Sequence, residues 1–325
     1  MRTLPELLSS IHDYAGTQPF PAAPAELYEP CAYMLELGGK RLRPALLLMA
    51  YELFRDDIDQ ALPAAWAVEL FHNFTLMHDD IMDAAPLRRG QPTVHTRWNT
   101  TTGILSGDVM LIYAYRFLEK FDDPTAIPAL LATFSQAATE VCEGQQMDIS
   151  FETRPDVSAA EYLRMIELKT AVLLGCALRM GAICAGAHAA DTEHLYQVGR
   201  LAGIAFQIQD DLLDTYGDPA KFGKQVGGDI VQNKKTLLVL RSSELASEAD
   251  RAELSRLMHT GPENAAEKVA AVRDIFDRYD IPRRIAEEKQ QYQRQAFEHL
   301  EAVGVDAPRK AVLREFLEEL LVREC

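Results

Sequence analysis

Apolar residues recur along most of the chain at i, i+3 and i+4, in successive segments of about 12–25 residues. Runs that alternate polar and apolar residues are scarce, so the pattern predicts helix nearly throughout. Pro19, Pro21 and Pro24 mark a loop after the first helix, and GGKRLRP at 38–44 precedes an apolar helix, ALLLMAYELF. The stretch 106–121 carries apolar residues on several sides and reads as a buried helix. Another helix is expected over 134–147, followed by a loop, SFETRPDVS. Ser158 with Glu161 forms the sequence of a capping box and opens the next helix, whose Gly175, Gly181 and Gly186 suit close packing. From Ser242 onward the chain reads as charged amphipathic helix without a motif that points to chemistry.

One stretch, Glu69 to Arg89, organises the rest. Its helical spacing runs up to Pro86, which forbids another turn. Asp79 and Asp83 are four residues apart and share a helix face, and His72 falls on that face two turns earlier. Asp80 points about 100° away. A second copy occurs in FQIQDDLLD, where Asp210 and Asp214 share a face, Asp211 adjoins Asp210, and Gln207 lies one turn earlier. A single DDxxD on a helix is ordinarily a solvated acidic face. Two copies, each in an apolar sequence, fit that reading poorly, because unpartnered carboxylates resist desolvation. Were the two helices to face each other, their oxygens would suit Mg²⁺, a hard ion that keeps waters and completes its shell with substrate phosphates.

Charge sharpens this picture. The net charge of -16 over 325 residues argues against a general affinity for nucleic acid or anionic membrane. The few clustered cations therefore stand out. Lys40, Arg41 and Arg43 follow Gly38-Gly39 just before a helix N-terminus, and Arg88 and Arg89 follow the first aspartate motif directly. Such clusters are often solvated cations on a loop. In this acidic chain they suit anion pockets, one diphosphate held by metal and another by arginine and lysine. The five cysteines are odd in number and lack CxxC spacing, which suits reduced thiols in a cytoplasmic protein, in the core or the tail. The N-terminus has no apolar run of the signal-peptide kind, and no apolar run reaches membrane-span length, so no stable membrane anchor is expected.

GGKRLRP, the histidine of ELFHN, HDDIMD with LRRG, GQQMD at 144–148, Lys169-Thr170, FQIQDDLLD and GKQVGGD…NKKT occur in this order. Together they resemble the trans-isoprenyl diphosphate synthases, the polyprenyl synthetase family, and the resemblance spans roughly residues 38–236. It implies one all-α domain over 1–325, a helical bundle around a deep central cavity with the aspartate motifs on opposing helices at its mouth, and a homodimer. It implies that Asp79, Asp83 and Asp210 coordinate three Mg²⁺, with Asp80, Asp211 and Asp214 as further or supporting ligands and Gln145 behind a metal water. Arg88 would hold the allylic diphosphate (dimethylallyl, geranyl or farnesyl), and Lys40, Arg43, His72 and Arg89 that of isopentenyl diphosphate. Lys169 would meet the allylic diphosphate. Its carbonyl, Thr170 and Gln207 would turn oxygen dipoles toward a transient allylic cation. The segment 217–229, with Lys224, and the following Lys234 and Lys235 suit a lid over diphosphate, or an ordinary surface loop.

Product length would follow from the depth below Asp79. Phe74 lies about 7–8 Å further down the helix, where the family places a bulky residue as the pocket floor, and Thr75 lies on the Asp79 face. The first motif also lacks the two-residue insertion of the common bacterial farnesyl type. Together these point to C15–C20, leaning to C20. Phe74 also reads as ordinary core, its helical angle being about 140° from Asp79. Two rivals are a class I terpene cyclase, which needs no second diphosphate pocket, and a non-catalytic partner subunit, which tends to lose aspartates.

Overall fold

The computed structural model describes residues 1–217, 226–261 and 264–321. Lys224, Cys325 and most of the proposed lid lie outside these residues. The helices in chain order are α1 (Leu4–Gly16), α2 (Ala25–Glu36), α3 (Leu42–Glu52), α4 (Leu62–Met82), α5 (Val94–Arg97) and α6 (Thr100–Leu118). They continue as α7 (Ile127–Thr153), α8 (Ala159–Ile166), α9 (Val172–Cys184), α10 (Ala189–Tyr216), α11 (Gly228–Val231) and α12 (Leu237–Leu245). The rest are α13 (Glu248–Leu257), α14 (Ala265–Arg278), α15 (Ile281–Ala302) and α16 (Ala307–Leu321). The fold is all-α. Among the described residues the only sheet is a two-residue antiparallel ladder, β1 (Leu87–Arg88) with β2 (Gln91–Pro92). Its turn residues, Arg89 and Gly90, both have positive φ, which is the backbone a two-residue hairpin demands.

The chain forms two compact units. The first comprises 1–135, 176–195 and 303–313, and the second 136–175, 196–302 and 314–325. In the first, α3 and α4 supply a nearly continuous buried run from Pro44 to Glu52 and from Ala64 to Phe71. Phe71, Phe74, Tyr115 and Phe134 meet ring against ring there, with Phe71 and Phe134 edge to face at 5.3 Å. Helix α9 comes so close to α3 that a Cβ on Gly181 would lie 2.1 Å from the Leu47 carbonyl oxygen. Gly175 is equally constrained by Tyr196 in the second unit. Gly186, expected to serve packing, has open space around it and φ +72 instead. It ends α9, with the Gly186 and Ala187 amides returning to the Ile183 and Ala182 carbonyls. In the second unit Ile204, Ile208, Leu237, Ile275, Phe276 and Ile285 centre the core.

Boundaries differ from the sequence expectation where tertiary packing overrides local signals. Helix α7 spans 27 residues and runs through Phe151–Thr153, which had read as loop. The Ser158–Glu161 capping box forms as expected. Of the four described cysteines, Cys142 is exposed and the other three are buried. No described helix is long and apolar enough to cross a membrane.

Candidate active site

The first unit carries the basic cluster. The loop before α3 takes positive φ at Gly38, Gly39 and Arg41, which turns the chain sharply into the helix. Gly39 is constrained for a second reason. A Cβ there would lie 2.7 Å from Arg89 Nη2, so the guanidinium from the hairpin turn rests on bare backbone. Arg43, in the first turn of α3, donates from Nη1 to His72 Nε2 on α4 at 3.0 Å. An arginine has no acceptor, so the imidazole accepts here and carries its proton on Nδ1. Burial, then the charges of Arg43, Arg89 and Arg88, holds the His72 pKa well below the usual range, so the ring is neutral. Lys40 is exposed beside this cluster in sequence.

Helix α4 ends at Met82, three residues before Pro86 becomes relevant. The reason is a capping motif with Ala84 in the left-handed region, φ +49. The Ala84 and Ala85 amides close on the Ile81 and Asp80 carbonyls. Asp83 is the cap residue and its amide still bonds the Asp79 carbonyl at 2.9 Å, so Asp79 and Asp83 keep a common face. Asp80 is turned inward at 3% exposure, where Arg88 Nε donates to its Oδ2 at 2.8 Å. Arg88 Nη2 also lies 3.8 Å from Asp79 Oδ2. Arg88, expected at a diphosphate, thus also neutralises the first motif. Phe74 is 9% exposed and packs against Phe71 and His78, consistent with either floor or core. Thr75 spends its hydroxyl on the His72 carbonyl at 2.8 Å.

The second unit repeats the arrangement. Asp211 is buried and accepts from Tyr162 Oη at 2.6 Å and from Gln207 Nε2 at 3.3 Å. Gln207, expected to face an allylic cation, therefore also orients Asp211. Asp210 and Asp214 are half-buried. Asp214 Oδ2 accepts the Asp229 amide at 2.9 Å at the start of α11. Asp229 in turn lies 3.6 Å from the Nζ of Lys234, which is exposed. Lys169 and Thr170 sit in a π-helical turn, Glu167–Ala171, between α8 and α9. Lys169 Nζ donates to Asp148 Oδ2 at 2.5 Å. A Cβ on Gly144 would come within 2.3 Å of the Lys169 amide nitrogen, so the GQQMD glycine is what admits this approach. Gln145 beside it is half-buried. Lys235 donates to the Phe151 carbonyl at 2.5 Å and ties its loop to the end of α7.

Sequence reasoning missed Tyr162, Asp148 and Asp229 as partners, and Glu69 as a buried acid beside Arg43. Asp148 and Asp229 were visible inside GQQMD and GKQVGGD, whereas nothing local marks Tyr162. Among the described residues no group of three or more histidine, cysteine, aspartate or glutamate side chains is placed to hold a metal ion by itself. The donors each motif presents are oxygens of carboxylates, two carboxylates per helix face. That fits a hard cation which keeps waters and takes substrate oxygens, and it fits poorly a thiophilic or fully caged metal.

Burial pushes the Asp211 carboxyl up to about 7, against the lowering effect of the Tyr162 hydrogen bond. The folded protein thus holds this proton more tightly than the unfolded chain does. The contribution of Asp211 to stability is full below pH about 4 and falls as pH rises toward 7, by at most about 1.4 kcal/mol per pH unit. Urea titrations of metal-free protein should show this slope, Asp211→Asn should remove it, and Tyr162→Phe should carry it to higher pH.

Comparison with known proteins agrees with this geometry. The polyprenyl synthetase family model matches residues 24–275. A geranylgeranyl diphosphate synthase of Methanosarcina mazei is 38% identical over 304 residues, covering 93% of this chain and 91% of that protein. A crystal structure of a geranylgeranyl pyrophosphate synthase superposes with a TM-score of 0.94 at 45% identity, covering all of both chains. A polyprenyl synthase from Caulobacter crescentus CB15, complexed with calcium and isoprenyl diphosphate, superposes with a TM-score of 0.84 at 26% identity. It covers 98% of this chain and 95% of that one. With two aspartate motifs, a basic cluster and this match in sequence and fold, the chain belongs to the polyprenyl synthetase family, the prenyltransferases whose short-chain members it resembles.

Proposed function

We propose that this chain condenses isopentenyl diphosphate head-to-tail with an allylic diphosphate (dimethylallyl, geranyl or farnesyl) to give an all-trans C15–C20 prenyl diphosphate. The observation that carries the reading is the coexistence of two aspartate motifs with a separate basic cluster of Arg43, His72 and Arg89. A cyclase handles one diphosphate, whereas this chain has cations for two. Relatives named as geranylgeranyl diphosphate synthases support the C20 end of the range.

Asp79, Asp83 and Asp210 hold Mg²⁺, three ions in the full complex, with Asp214 contributing where its cap on α11 allows. Asp80 and Asp211 orient the outer acids from inside, and Gln145 supports a metal water. When bound, Mg²⁺ neutralises the charge that builds on a departing diphosphate. Arg88 and Lys169 bind the allylic diphosphate and keep its leaving oxygen aligned, and Lys234, with Lys224 outside the described residues, binds substrate from the segment that follows the second motif. Lys40, Arg43, His72 and Arg89 fix isopentenyl diphosphate, so the two reacting carbons meet in one orientation. The Lys169 carbonyl, Thr170 and Gln207 turn oxygen dipoles toward the cationic carbon that forms. No side chain acts as a nucleophile. The lost proton leaves with the released diphosphate.

The chain works as a single catalytic domain and its proposed setting is the cytoplasm. A homodimer is supported by one face of α6, where Ile104, Leu105 and Ile112 are 43%, 54% and 57% exposed. Light scattering should give twice the chain mass, and Ile112→Glu should shift it toward one chain; an unshifted mass removes α6 from the interface.

Incubation with Mg²⁺, isopentenyl diphosphate and labelled allylic diphosphates should give elongated products. A cyclic hydrocarbon would mark a cyclase, and silence a partner subunit. Asp79→Asn should lower turnover about 100-fold or more, as loss of a group that stabilises developing charge does. Phe74→Ala should lengthen the product on chromatography, and an unchanged product would assign Phe74 to the core alone.

A further inference from the structure

Glu69 is the buried charge that the proposed mechanism leaves unused. It lies on α4 one turn before His72 and Asn73, at 6% exposure. Asn73 Nδ2 donates to its Oε1 at 3.1 Å, and also to the Glu69 carbonyl at 2.8 Å. Its Oε2 is buried and has no hydrogen-bond partner. Arg43 mirrors this state. Its Nη1 is committed to His72, while its Nε is shielded from solvent and unpartnered. A guanidinium without solvent around it needs a counter-charge, and a carboxylate in the same state needs a cation. Burial pushes the Glu69 carboxyl up, against the Asn73 hydrogen bond and the charges of Arg43, Arg41 and Arg89 that favour its ionised form, and the charge of Glu69 supports the charged form of Arg43 against burial.

We infer that Glu69 is the positioning residue of the basic cluster: its buried carboxylate, steadied by Asn73, keeps Arg43 inside the protein and aligned on His72. It touches no substrate. This inference rests on reading Arg43, His72 and Arg89 as the isopentenyl diphosphate pocket. Two opposing effects follow from removing the acid. The pocket gains net positive charge, which favours an anion, but Arg43 loses the charge that retains it, and a long side chain so released turns toward solvent. The second effect dominates because Arg43 is enclosed and has only the neutral His72 ring as a hydrogen-bond partner.

Steady-state kinetics with each substrate varied in turn tests this. Glu69→Gln preserves shape and the Asn73 contact but removes the charge. It should raise KM for isopentenyl diphosphate about tenfold, leaving kcat and KM for the allylic substrate within about twofold. Asn73→Ala keeps the charge and frees Oε1, and should raise the same KM about threefold, so the inference stays testable if Glu69→Gln folds poorly. In an Arg43→Ala background Glu69→Gln should add nothing, because the two act as one unit. An unchanged or lowered KM in Glu69→Gln, or additive effects in the double variant, overturns the inference. If Arg43→Ala itself leaves KM for isopentenyl diphosphate unchanged, the reading of the pocket fails instead.

Discussion

The structure depends on holding carboxylates in and beside a helical core in fixed orientations. Each DDxxD meets this by dividing labour between its acids. The middle aspartate of each motif turns inward and is held, Asp80 by Arg88 and Asp211 by Tyr162 and Gln207. The acids at the ends of each motif stay half-buried or exposed. A buried ion pair or charged hydrogen bond adds little net stability compared with apolar packing. What it supplies is a fixed orientation. The same logic runs through the basic cluster, where Arg43, His72 and Glu69 share the cost of burial.

Close backbone contact supplies the rigidity behind these placements. Gly39 lets Arg89 lie on the chain, Gly181 brings α9 onto α3, and Gly144 brings α7 onto the Lys169 turn. At Gly181 and Gly144 a Cβ would collide with backbone that has no room to yield, and at Gly39 it would displace the Arg89 guanidinium. Aromatic contacts brace the hairpin that carries Arg88 and Arg89. Tyr33 donates to the Pro92 carbonyl at 2.7 Å, and Arg97 packs over the Tyr33 and Trp98 rings.

Much of this was legible in the sequence, for physical reasons. Helical class follows from a periodicity sustained over most of the chain, and the paired aspartates follow from spacing alone. Capping at Ser158 was readable because both partners lie within one turn. The misses share a different origin. Tyr162 reaches Asp211 across 49 residues and Lys169 reaches Asp148 across 21, so no local pattern encodes either pair. The α4 terminus was misplaced because Ala84 takes a backbone usually left to glycine. The continuation of α7 through Phe151 hides behind polar neighbours, Glu152 and Thr153, since burial of Phe151 decides the issue.

The π turn at 167–171 bears on how this protein tolerates change. Such a turn carries one residue more than regular winding needs, and relaxing it would rotate all of α9 by about 100°. Two neighbours forbid that relaxation. Gly144 meets the turn at Lys169, and a Cβ on Gly203 of α10 would lie 2.6 Å from Ala171 Cα. The surplus residue is thereby trapped, like a missed stitch held by the rows on either side. Loss of one residue here would let the turn close to regular winding with α9 still facing its neighbours, whereas gain of one would swing that helix by about 100°.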